Sequence, residues 1–220
     1  GLGEVPFSKG ASPSKNKHYR SNQNIQENIM CGRYTVIDDD DIAELREIIP
    51  AFRGHISGGS ELFGATVSPG MTAPILTQHG DFMPARWGFA LPSRKLAFNA
   101  RSEGLETNRL YSPHLQYGRI IAPARCYYEW MPFEAKKQKF TISPDYSRHP
   151  VLYLCGLMRP VDGGFEYTII TCPAADSISY IHPRMPLAVD PDGARKWLVS
   201  RETPRIIAPE LLRAELSDGA

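Results

Sequence analysis

In the stretch Met30-Cys31-Gly32-Arg33 a cysteine directly follows a methionine. If Met30 initiates the chain and is then removed, Cys31 carries a free α-amine and a thiol on adjacent carbons. An α-amine titrates at about pH 8, so a useful fraction is neutral and nucleophilic near neutrality. Such an amine condenses with an aldehyde to a Schiff base, chemistry otherwise expected of a perturbed lysine. The thiol beside it can then add to the imine carbon and close a five-membered thiazolidine ring. An internal cysteine has an amide nitrogen instead and cannot form the imine; its plainer role is that of a structural residue at the start of a strand.

Three further stretches carry polar groups in settings that suit chemistry. In Phe98-Asn99-Ala100-Arg101-Ser102-Glu103, Asn99 and Arg101 share one face if the segment is extended. An amide beside a guanidinium suits a sugar-phosphate, the arginine taking the phosphate oxygens. The plainer alternative is a turn in which Glu103 pairs with an arginine. In Cys126-Tyr127-Tyr128-Glu129-Trp130-Met131, a carboxylate stands among three aromatic residues. Apolar surroundings raise a carboxyl pKa and favour general acid–base service; a partly exposed glutamate at a sheet edge is the alternative. Trp130, with Trp87 of Arg86-Trp87-Gly88-Phe89, offers a ring face for a nucleobase, although tryptophans more often pack a core. In Ile181-His182-Pro183-Arg184, His182 has the pKa range of a proton shuttle, or is a satisfied structural histidine.

The elements that must position these groups are mostly short strands. Runs such as Thr-Ala-Pro-Ile-Leu-Thr, Arg-Ile-Ile-Ala-Pro-Ala-Arg, Lys-Phe-Thr-Ile-Ser and Phe-Glu-Tyr-Thr-Ile-Ile-Thr are rich in β-branched and aromatic residues and bounded by Pro, Gly or Asn. Asp162-Gly163-Gly164 reads as a hairpin turn. Helices are expected over 39–49, where four aspartates supply the cap and first turn, over 102–111, over 174–182, and over 190–200, with Asp190 as cap and Pro191 in the first turn. Many hairpins with helices inserted between them indicate an α+β fold, and the 220 residues suit one domain. Residues 1–30 lack any periodicity and read as a disordered leader or extension ahead of a domain over 31–220.

The formal net charge of +1 does not announce a nucleic-acid binder, although a basic groove is compatible with it. Arginines 33, 86, 101, 119, 125 and 184 all fall near apolar or aromatic residues. The four cysteines lack the spacing of a zinc site, and Cys155 and Cys172 lie in apolar runs as buried small hydrophobes. No apolar run reaches the roughly 18–20 residues of a membrane helix, and no secretory signal is evident, so a cytoplasmic location is expected.

Taken together and in order, Met-Cys-Gly-Arg-Tyr, Arg-Trp-Gly-Phe, Asn-Ala-Arg-Ser-Glu, the Arg119-to-Trp130 run, Cys-Gly-Leu and Ile-His-Pro-Arg-Met-Pro resemble the SOS response-associated peptidase (SRAP) family of abasic-site processing proteins over about residues 30–200. The resemblance implies a mainly antiparallel, barrel-like β core with short peripheral helices. It also implies covalent capture of abasic sites in single-stranded DNA, as a monomer and without metal or cofactor. By the same resemblance Cys31 is the nucleophile, Asn99 positions the reacting sugar, Glu129 is the acid–base residue and His182 binds the sugar hydroxyl and assists ring opening. Arg33 and Arg101 would hold phosphates, with Arg184, Trp87 and Trp130 completing the DNA surface. A self-processing cysteine peptidase that removes its own leader, and a noncatalytic binder of single strands or modified bases, are the alternatives.

Overall fold

The computed structural model describes residues 32–43, 45, 60–134, 136–147, 150–199, 206–207 and 211–217; Cys31 and the leader expectation lie outside them. β1 (Tyr34–Val36) and the short β2 (Thr66–Val67) precede a hairpin of β3 (Thr72–Thr77) and β4 (Phe82–Trp87), then the short β5 (Phe89–Ala90), β6 (Leu96–Ala97) and β7 (Asn99–Arg101). β8 (Arg119–Phe133) and β9 (Lys136–Pro144) form a long hairpin, as do β10 (Leu152–Val161) and β11 (Gly164–Pro173). β12 (Arg184–Pro186), β13 (Ala188–Val189), helix α1 (Pro191–Val199) and β14 (Leu212–Leu216) complete the order.

Five strands close on themselves. β10 pairs with β11, β11 with β4, β4 with β3, β3 with β8, and β8 returns to β10. Only the β11–β4 junction of this ring is parallel; the rest is antiparallel, as hairpin-rich chains allow. Closure leaves these strands no free edge. The Asp162-Gly163 turn joins β10 to β11, with Val161 paired to Gly164 and Gly163 at φ 82°, a conformation that glycine adopts without strain.

Two strands are longer than the barrel needs, and both position site residues, β8 carrying Glu129 and β11 pairing with the strands of Asn99, Arg101 and Arg184. The first half of β8 pairs with β10, from Arg119 opposite Leu157 to Ala124 opposite Leu152. Its second half leaves the ring to pair with β1 on one side and β9 on the other. The last residues of β11 likewise pair with β7 and β12 instead of the ring.

The core joins the motifs. Tyr34 of β1 packs on Trp87 of β4 with ring centres 5.1 Å apart, and Trp87 lies 6.0 Å from Phe98 and 6.2 Å from Tyr167 of β11. Tyr34 and Tyr167 share a hydrogen bond between hydroxyls at 2.6 Å, and Trp87 Nε1 donates to Phe98 O at 2.9 Å. Buried polar tips are thereby satisfied, as aromatic packing in a core requires. Cys126, Cys155 and Cys172 are buried free thiols, and burial pushes the Cys172 thiol up to about 11.

The helix expectations meet mixed outcomes. α1 forms as read, with Asp190 Oδ1 accepting the Gly193 N–H at 2.7 Å and Pro191 opening the helix. The segment after Asp38 begins as a 3-10 turn over Asp39–Asp41 and is helical at Ile42, Ala43 and Leu45; the remainder lies outside the described residues. The expected helix over 102–111 is instead a 3-10 turn, Ser102–Gly104, followed by further turns. That over 174–182 is a run of turns held by bonds such as Ile178 N–H to Ala175 O. Both segments bridge strands whose positions the sheet already sets.

Candidate functional site

β7 and β12 flank the end of β11 and place Asn99, Arg101 and Arg184 around one cleft of about 610 Å³, which Glu103, Asn108 and Tyr111 also line. Ala100 between them points into the core, so Asn99 and Arg101 share the other face, as the alternation requires. Tyr111, which sequence reasoning missed, donates its hydroxyl to Asn99 O at 3.1 Å and steadies the strand. An aromatic residue ending the 102–111 stretch was the only signal for it.

Arg184 is clamped. Its guanidinium donates to both Glu103 carboxylate oxygens at 2.7 and 2.9 Å and to Thr171 O at 2.7 Å. This two-pronged geometry is the strong form of an ion pair, and it holds the Glu103 carboxyl down at about 2 despite partial exposure. Glu103 thus pairs with an arginine, as the plainer reading of its stretch had it, and Arg184 is a built-in wall of the cleft.

The same arginine sets the state of His182. Its backbone N–H and carbonyl oxygen both stand 3.1 Å from His182 Nδ1, so the backbone engages that nitrogen in either tautomer. Nε2 is buried and makes no hydrogen bond among the described residues. Burial, with the Arg184 charge adding to it and the contact of Nδ1 with the Arg184 carbonyl opposing, lowers the pKa of His182, so the ring is neutral at pH 7. A buried polar atom without a partner is costly in a folded protein and marks a place where a ligand atom can sit.

On β8 successive side chains alternate between the two faces of the sheet. Tyr127 and Glu129 point inward, 0% and 3% exposed, while Tyr128 and Trp130 are half-buried on the other face. Gly32 and Arg33, which follow Cys31, run beside this strand: Tyr128 N–H donates to Arg33 O at 3.0 Å. The Arg33 guanidinium lies over the Trp130 ring at 5.5 Å, a cation–π contact.

Trp87 requires a correction. It is fully buried among Tyr34, Phe98 and Tyr167, so it offers no face to a nucleobase. Its contribution is to tie β1, and through it the Gly32–Arg33 segment, to the Asn99 strand. Other arginines singled out in the sequence are also structural. Arg86 pairs with the buried Glu166 at 3.1 Å, Arg125 pairs with Asp38, and Arg119 donates to Leu115 O and Trp197 O. Arg33 and Arg101 remain exposed. Among the described residues no group of His, Cys, Asp or Glu is placed to hold a metal ion, and no helix is long and apolar enough to cross a membrane.

Residues 30–218 match the family model described as SOS response associated peptidase (SRAP). The abasic site processing protein YedK of Escherichia coli is 31% identical over 180 residues, covering 77% of this chain and 79% of YedK. The abasic site processing protein HMCES of Gallus gallus is 32% identical over 165 residues, covering 60% of this chain and 49% of that longer relative. Among solved structures, a protein from Bacteroides thetaiotaomicron superposes with a TM-score of 0.69 at 18% identity, covering 84% of this chain and 91% of that one. A phage-related protein from Bordetella bronchiseptica gives 0.66 at 22%, covering 86% and 95%. At such identities these two attest the fold. With most of its length matched by the family model, the chain belongs to the SRAP family.

Proposed function

We propose that this protein captures abasic sites in single-stranded DNA as a covalent adduct on Cys31, shielding the lesion during replication. The observation that carries the proposal is the joining of family membership to a cleft lined by Asn99, Arg101 and Arg184, with the Gly32–Arg33 segment beside the Glu129 strand. The functional form begins at Cys31, since only a free amine reacts. The ring-opened sugar presents an aldehyde; the Cys31 amine adds to it, and the carbinolamine loses one water to give an imine. The thiol then adds to the imine carbon and its proton ends on nitrogen, closing the thiazolidine with no further loss.

Each step needs a proton moved near neutral pH. His182, neutral with Nε2 unengaged among the described residues, is suited to hydrogen-bond the sugar hydroxyl and assist ring opening. Glu129, on the β8 face turned to the interior, is the acid–base group for carbinolamine dehydration. Asn99 positions the sugar, and Arg101 and Arg33 hold flanking phosphates. Intact-mass measurement of the Cys31-first protein with an abasic oligonucleotide is expected to show protein plus oligonucleotide minus one water. Absence of that species, or its persistence in Cys31→Ala, would refute covalent capture. If the imine instead partitions to β-elimination, strand cleavage products appear at the lesion.

The family description names a peptidase, and it suggests a second activity, removal of the residues before Cys31. The Cys31 thiol attacks the Met30 carbonyl, and the Met30–Cys31 amide breaks to free the Cys31 amine and leave a thioester. Water then hydrolyses the thioester to release the leader as a carboxylate. Leader-bearing protein should then shed residues 1–30 on incubation, and Glu129→Ala should not. Retention of the leader by both would exclude self-processing.

A further inference from the structure

The outer face of the β1–β8–β9 sheet carries a row of rings and cations beyond the cleft. Ladder partners put Tyr128 opposite Thr141, Trp130 opposite Lys139 and Pro132 opposite Lys137. Directly opposed residues of an antiparallel pair project from the same face, so Tyr128, Trp130, Lys137 and Lys139 share one surface. Arg33 joins them through its contacts with Tyr128 and Trp130. Because Tyr127 and Glu129 fill the opposite, buried face, this one looks to solvent.

The two rings are each capped by a positive charge. Lys139 Nζ stands 4.2 Å from the centre of the Tyr128 ring, and the Arg33 guanidinium 5.5 Å from that of Trp130. The Tyr128 hydroxyl is fixed by Thr35 Oγ1 at 3.0 Å, which in turn meets Thr66 Oγ1 at 2.9 Å. The acidic groups within reach are Glu215, in register with Thr141, and Glu134 at the β8–β9 turn, against the cations Arg33, Lys136, Lys137 and Lys139. From Tyr128 to Pro132 the strand advances about 13 Å.

We propose that single-stranded DNA on one side of the lesion runs over this face, from Arg33 past Tyr128 and Trp130 to Lys139 and Lys137 at the hairpin end. Aromatic rings on an open sheet face flanked by cations suit a strand whose bases are unpaired: phosphates meet the lysines while bases lie against the rings. A duplex keeps its base faces stacked and would use only the charges. The proposal rests on the abasic-site function for its register, since the lesion end of the path is the Arg33 segment next to Cys31.

The test is equilibrium binding of the double variant Lys137→Gln/Lys139→Gln to undamaged and abasic oligonucleotides of increasing flank length, on each side, across a salt series. Each phosphate contact on a single strand contributes about 0.7 to the slope of log affinity against log salt. The variant is therefore expected to have a slope shallower by about 1.4 on oligonucleotides with a long flank on one side. Its deficit should grow with that flank and be greater for single strands than for duplex of equal length. A wild-type slope on long single strands, or a deficit independent of flank length, overturns the path. Thermal melting at the wild-type temperature checks that the exposed substitutions leave the fold intact. If the wild type gives no adduct with any oligonucleotide, covalent capture fails, while the slopes on undamaged strands still decide this surface.

Discussion

At His182, three neighbouring effects converge on one ring. Burial and the Arg184 charge lower its pKa, while the Arg184 backbone bond to Nδ1 partly opposes them. A histidine whose folded pKa is depressed leaves the unfolded state holding more protons, so stability is complete above about pH 6.5 and falls as the pH drops below it. His114, lowered by burial and the Arg159 charge, acts in the same direction. Denaturant titrations should therefore show stability falling from pH 7 to pH 5, with His182→Gln reducing that dependence. The Glu103 carboxyl contributes in a separate window, since its pKa falls from 4.5 to about 2 on folding; its share persists above 4.5 and is lost as the pH falls towards 2. Trp87 and Trp130 should separate cleanly. Trp87→Phe is expected to lower stability by about 1–2 kcal/mol while folded protein binds DNA as before. Trp130→Ala should leave melting nearly unchanged and weaken single-strand binding by about 1–3 kcal/mol.

Among the elements, β8 and β11 matter most because each belongs partly to the barrel and partly to the site. Their crossing neighbour β10 is packed without slack at Gly156, where a Cβ would come within 2.6 Å of Thr168 O and of Ile120 Cδ1. Gly156→Ala should cost about 2 kcal/mol in urea unfolding, since a sheet closed into a ring cannot shift one strand alone. α1 is a local matter by comparison. Asp190→Ala removes the cap to Gly193 N–H and should cost about 1 kcal/mol, with binding to DNA unaffected.

Over the whole molecule, the net charge of +1 conceals a division of labour among arginines. Arg86, Arg119, Arg125 and Arg184 are held by carboxylates or carbonyls within the fold, whereas Arg33 and Arg101 face outward with the hairpin lysines. The outer sheet shares β8 with the barrel and the cleft shares β11, so neither has a core of its own. Far-UV circular dichroism and tryptophan fluorescence should then report coincident unfolding transitions; separated midpoints would show that the outer sheet unfolds independently.

Local patterns in the sequence determined much of this protein. Alternation along Tyr127–Trp130 put Glu129 and Trp130 on opposite faces, the Asp190-Pro191 pair opened α1, and Asp162-Gly163 turned the β10–β11 hairpin. Such features depend on backbone sterics and side-chain period within a few residues, and a single chain states them directly. What tertiary structure decided depends on partners distant in sequence. Helical patterning over 102–111 and 174–182 gave way to turns because flanking strands fixed both ends. Trp87 became core because Tyr34, Phe98 and Tyr167 closed around it from three other strands and loops. Arg184 became a wall because Glu103, 81 residues away, reached its guanidinium. Burial and charge pairing are properties of a residue's surroundings, and barrel closure is what assembled those surroundings.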